Sequence, residues 1–159
     1  MSRDILLQEH EERIVLGQKI ADEIRRGKNN HGIHKDTGTR ISWDLKSAQL
    51  RGANLRGADL EGADLGITWD HLGMVVADLM DADLEGADLR GANLFYAECN
   101  HSNLRGADLE GADLKHAKFR GADLSGAKLM HAKLNNVSFG DANLSGADLS
   151  GADLSDADL

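Results

Sequence analysis

From Leu79 to Leu159 every fifth position holds a large aliphatic or aromatic side chain, or Cys99. The series is Leu79, Leu84, Leu89, Leu94, Cys99, Leu104, Leu109, Leu114, Phe119, Leu124, Leu129, Leu134, Phe139, Leu144, Leu149, Leu154 and Leu159. A small residue, nearly always Ala, stands two positions before each. Asp, Asn or occasionally Lys lies between them, and Gly often follows two positions after. A helix would place residues five apart about 500° around its axis, which scatters the stripe over every face. A plain strand has period two, so an odd spacing would alternate faces. The pattern therefore predicts a chain that bends after every unit: a short extended piece with Ala and Leu inward, then a tight turn with Gly at the position where a type II turn needs positive φ. Units this short bury a core only by stacking, which makes a solenoid.

The unit Ala-Asp-Leu-x-Gly, recurring over residues 41–159, resembles the pentapeptide-repeat family. The resemblance implies an all-β solenoid, a right-handed quadrilateral β-helix with four units per coil. Before Leu79 the same register gives Met74 and Trp69; from Leu45 it gives Leu50, Leu55, Leu60 and Leu65. The two registers meet at a spacing of four, read as a one-residue deletion, with a surface loop over Gly66–Asp78 as the alternative. The deletion predicts six coils in a rod on the order of 29 Å long. It turns Trp69 and Met74 inward and places Leu60 on one wall with Leu79, Cys99, Phe119, Phe139 and Leu159. Val76, Tyr96 and His116 fall where Gly is usual, and their turns are expected to differ because such residues resist positive φ.

Three segments precede function: an α-helix over 1–26, a polar linker over 27–40, and the solenoid over 41–159. Ser2 suits an N-cap and Gly27 a stop, and Leu16, Ile20 and Ile24 form an apolar stripe at helical spacing. This helix is either a cap over the first coil or a docking arm for another protein. His31, His34 and Asp36 in the linker lack a fourth ligand candidate, so no metal site is expected.

The chain has 159 residues, no Pro and a single Cys, which excludes an internal disulfide and points to a reducing cytoplasm. No apolar run has the length of a membrane span or signal peptide. The net charge of −9 lies wholly on residues 45–159. That balance argues against direct nucleic-acid binding and favours a protein partner with a basic or apolar contact surface.

The expected solid core leaves no room for a substrate, so no enzyme activity, cofactor or catalytic residue is predicted, and Cys99 reads as a buried structural thiol. Two surface features remain. Asp59, Glu61, Asp78, Asp81, Glu98, Asp141 and Asp158 are predicted to form an acidic wall outside the Phe ladder. Val75, Val76, Phe95 and Tyr96 are predicted to point outward together as an apolar contact patch. The expected function is a non-enzymatic interaction or scaffold module. The alternatives are a DNA mimic, by resemblance to family members that protect or inhibit DNA gyrase, and a structural component of a larger assembly, a viral particle included. An open C-terminal coil would also let two rods pair end to end as a homodimer.

Overall fold

The computed structural model describes residues 32–33, 40–41, 45, 48–70 and 73–159. The apolar stripe of Leu16, Ile20 and Ile24 and the rest of the N-terminal helix expectation lie outside them, as do His31, His34 and Asp36. Two short strands, β1 (Gly32–Ile33) and β2 (Arg40–Ile41), pair antiparallel in and beside the segment read as a linker. From residue 48 onward the chain is a four-sided solenoid. Parallel bridges join Asp78 to Glu98, Lys118, Ser138 and Asp158, with the same 20-residue step on the other three walls. Five complete coils run from Leu50 to Leu154, a rod about 24 Å long at one inter-strand spacing per coil.

Each unit is locked to the next coil through its backbone. On the first wall the Asp78 N–H donates to the Ala48 carbonyl at 3.0 Å, and the Leu50 N–H donates to the Asp78 carbonyl at 2.7 Å. The turn then closes locally, with the Ala53 N–H donating to the Leu50 carbonyl at 2.9 Å. Wherever Asp or Asn precedes Leu from residue 54 to 153, its side chain completes the turn. From Asn54 to Asp153, fourteen such Asp and Asn oxygens accept the N–H two residues on, at 2.9–3.4 Å. This is why the repeat needs Asp or Asn there: the short side chain caps its own turn.

The third turn position has positive φ at Gly86, Gly91, Gly106, Gly111, Gly121, Gly126, Gly146 and Gly151, as the repeat predicts. The expectation that Tyr96 and His116 avoid this conformation is wrong: their φ values are 63° and 58°. Their N–H groups donate to the Lys115 and Asn135 carbonyls one coil on, so the ladder holds the turn whatever side chain it carries. Val76 is not at a turn; it follows a hairpin.

That hairpin also corrects the one-residue deletion. The first coil bridges to the second with a 29-residue step, Gln49 to Asp78 and Asp64 to Asn93, nine residues more than elsewhere. The extra chain leaves the wall at Gly66 and forms β3 (Thr68–Asp70) and β4 (Gly73–Val75), which pair antiparallel. A Cβ at Gly66 would lie 2.6 Å from the Asn93 side-chain amide nitrogen, so a larger residue at the departure point would have to displace the Asn93 side chain. Trp69 and Met74, read as inward, are 71% and 45% exposed on this hairpin. Register before Leu79 moves with them. Leu50, not Leu60, stands with Leu79, Cys99, Phe119, Phe139 and Leu159, and there are five full coils, not six.

The interior is solid. Inward Ala and Leu from Leu50 to Leu134 are buried, and every buried side-chain polar atom among the described residues has a partner. Phe119 and Phe139 stack at 5.7 Å between centroids, and the small Cys99 occupies the next rung. The two ends differ: Leu50, Leu55, Leu60 and Leu65 are fully buried, whereas Leu144, Leu149 and Leu154 are partly exposed. Leu109 sits mid-rod with Leu89 and Leu129 on either side, so Leu109→Ala should cost about 2–5 kcal/mol in urea denaturation through the cavity it leaves. A loss below about 1 kcal/mol would mean that the coils close over the gap.

Candidate functional site

The hairpin sits at the corner between the fourth wall (Leu65, Leu94, Leu114, Leu134, Leu154) and the Phe wall. Above it on the same corner come Phe95–Tyr96, then Lys115–His116, then Asn135–Asn136. The rings pack as one cluster. Tyr96 and His116 stack at 4.6 Å with planes 12° apart, and Phe95 meets each edge-on at 4.7 and 5.7 Å. A groove of about 420 Å³ runs beside them. Tyr96, His116 and Asn136 form one side, and Glu98, Lys118 and Ser138 on the Phe wall form the other. Met74 and Val76 complete the lining at the hairpin.

Of the predicted apolar patch, Val76 and Tyr96 line this groove and Phe95 packs behind Tyr96. Val75 lies on β4, and all four are partly buried rather than fully outward. The sequence reading missed His116, Met74 and Trp69 as members. The signal for His116 was present: it stands twenty residues after Tyr96, one coil on at the same corner. Met74 and Trp69 were hidden by the assumed deletion.

The acidic wall changes more. With the register corrected, Asp59 and Glu61 leave the Phe wall and join the third wall. Asp78, Asp81, Glu98, Asp141 and Asp158 stay, but Arg51, Lys118 and Arg120 share their wall. The carboxylate-rich face is the third wall: Asp59, Glu61, Asp88, Asp108, Glu110 and Asp148 against Arg90 and Lys128. Ladder partners temper the like charges stacked on every wall. Lys118 pairs with Glu98 at 2.7 Å, Lys128 with Asp108 at 2.9 Å and Lys133 with Asp113 at 3.1 Å, each one coil apart. Asn103 and Asn143 donate to Asp83 and Asp123 at 3.0 and 3.1 Å. The pairs are exposed, so each contributes a fraction of a kcal/mol at most.

The carboxylates beside Leu are thus turn caps before they are anything else, and Glu98 is the one carboxylate lining the groove, so it holds no acid–base pair. Burial pushes the Cys99 thiol far up, with Glu98 and Asp78 adding to the effect, so it is not a nucleophile. His101, His116 and His131 occupy three different corners. Among the described residues no group of three metal-ligating side chains gathers, and no helix is long and apolar enough to cross a membrane.

A protein-family model described as pentapeptide repeats matches the chain in eight copies, over residues 44–65, 77–95, 97–136 and 122–159. The break from 65 to 77 coincides with the β3–β4 hairpin. Among solved structures, HetL from the cyanobacterium Nostoc sp. strain PCC 7120 is a pentapeptide repeat protein involved in heterocyst differentiation regulation. It is 37% identical with a TM-score of 0.54, over 75% of this chain and 52% of that one. The chain therefore spans about half the length of HetL. Rfr23 from the cyanobacterium Cyanothece 51142 is 29% identical with a TM-score of 0.52, over 67% of this chain and 84% of that one. A trypsin-treated variant of QnrB1, a plasmid-mediated fluoroquinolone resistance protein, is 26% identical over 69% of this chain and 59% of that one. Its TM-score of 0.27 is too low to carry an argument. No curated protein matches the chain by sequence.

The turn caps carry a pH dependence. Asp123, Asp148 and Asp153 are held below the usual carboxylate range, first by the hydroxyls of Ser125, Ser150 and Ser155. A depressed folded pKa gives stability that is present above the unfolded value of about 3.9 and lost as pH falls through the folded one. The wild type should therefore be more stable than a Ser125→Ala, Ser150→Ala, Ser155→Ala variant at pH 7, and the gap should shrink below about pH 4 in urea titrations. A gap that widens on acidification would contradict the capping account.

Proposed function

The chain belongs to the pentapeptide-repeat family, and on that premise we propose that it is a non-enzymatic protein-interaction module that displays one irregular corner on a rigid solenoid. The observation that carries this reading is the concentration of departures from the repeat at that corner. The inserted hairpin, the exposed Trp69 and Met74, the Phe95–Tyr96–His116 cluster and the groove all adjoin one another. Elsewhere the outward positions are mostly polar or charged side chains, many engaged in caps and ladders, with Met80, Met130 and Leu159 as scattered apolar exceptions. Trp and Tyr are the residue types that anchor protein interfaces, and an apolar patch rimmed by polar groups is what such an interface leaves when free. The filled core supports a role without chemistry on a small molecule. HetL shares the solenoid over three quarters of this chain, and its involvement in regulation is of the kind a contact surface serves.

A second reading, a DNA mimic acting on a basic DNA-processing enzyme such as DNA gyrase, draws support from the third wall. About 24 Å of B-DNA carries roughly fourteen charges. The solenoid carries nine net over that length, spread over four walls with the third the most acidic.

The first reading is tested with a photo-crosslinking residue at position 96, and another at Ser125 on the opposite corner, in cell extract. Adducts specific to position 96 are expected; equal or stronger capture from position 125 would refute the corner as contact surface. The second reading predicts that micromolar protein slows gyrase supercoiling, and that reversing the third wall with Asp108→Lys and Glu110→Lys abolishes the effect. No slowing at that concentration removes it.

A further inference from the structure

Resting on the interaction reading above, we propose that the occupant of this corner is a second copy of the same chain, with each copy's Trp69 seated in the other's groove about a two-fold axis. Trp69 and Met74 are directly opposed in the hairpin register, so their side chains stand on the same face of it. Met74 lines the groove, which places the exposed indole of Trp69 at its rim. One patch therefore carries both a protruding aromatic knob and a cleft large enough to receive one. A two-fold interface needs such a surface, because it must be complementary to itself.

Charge points to the same face. A chain of net charge −9 repels its own copies, and contact is cheapest where the ionised groups are already neutralised. Along the groove Glu98 is paired with Lys118 at 2.7 Å, and on the same wall Asp78 with Arg51 at 3.3 Å, while Asp156 stands at the C-terminal end of the corner. The carboxylate-rich third wall is opposite the Phe wall, so it points away in both copies. The two acidic faces are then kept apart by both rods, well beyond the screening length of about 8 Å.

Sedimentation equilibrium of the full chain, up to about 200 µM, tests this. A dimer is expected, and it should tighten between about 0.05 and 0.5 M salt as like-charge repulsion is screened; a contact between acidic and basic surfaces would weaken instead. Trp69→Ala and Met74→Asp should each loosen the dimer at least about tenfold. Both side chains are exposed on the hairpin, so thermal unfolding of the variants should match the wild type. A monomer at all concentrations and both salts overturns the proposal, as does a dimer that both variants leave intact. A monomer whose position-96 crosslinker captures a different protein refutes the second copy and leaves the interaction reading standing. A monomer that captures nothing removes both.

Discussion

Backbone N–H and C=O groups in this solenoid pair mainly with the coil above or below, since no unit is long enough to satisfy its own. That one requirement governs the rest. It sets the coil at twenty residues, because four turns must return each unit beneath its counterpart. It demands a small residue and a Leu inward at every unit, because the coils stack at strand spacing and leave a narrow core. It also places residues i and i+20 side by side on the outside, which is why Lys118, Lys128 and Lys133 stand above Glu98, Asp108 and Asp113. A column of carboxylates one strand spacing apart would repel itself; a Lys or Asn every second or third rung relieves it.

The same requirement explains where sequence reading succeeded and where it stopped. The five-residue period, the inward Leu and Ala, the positive-φ glycines and the stacked Phe119 and Phe139 were all legible, because each follows from a repeated local pattern. The excursion over Gly66–Asp78 was legible only as the alternative to a deletion, and its hairpin pairing was not. Leu65 and Trp69 stand four apart, and a missing residue looks like the smallest disturbance on paper. In a ladder it is the largest, because dropping one residue moves every later side chain to the other face. Adding chain costs little when it leaves and returns at one corner, since closure entropy grows slowly with loop length. Gly66, packed under the Asn93 side chain, marks the exit. Inward Trp69 and Met74, and Asp59 and Glu61 on the wrong wall, follow from that choice; His116 was missed separately, although it stands one coil beyond Tyr96 at the same corner.

The four corners are not chemically equal. The corner between the second and third walls has Gly at all five positions with positive φ: Gly57, Gly86, Gly106, Gly126 and Gly146. The hairpin corner has none beyond the insertion. Tyr96, His116, Asn136 and Asp156 take φ of 57–63° there. For a residue with a Cβ this conformation costs roughly 1–2 kcal/mol, less for Asn and Asp. A solenoid selected only for stability would carry glycine at both corners. Tyr96 and His116 hold an unfavourable backbone and leave two aromatic rings in partial contact with water. Strain of this kind persists where the side chain is needed for something other than folding. Asp81, His101, Asp141 and His131 take the same positive φ at two other corners, so what sets the hairpin corner apart is that no glycine remains at this turn position and that it also carries the hairpin, the groove and the exposed indole. A backbone observation and a surface observation, drawn from different atoms, thus meet at Tyr96 and His116, the residues on which the proposed contact rests.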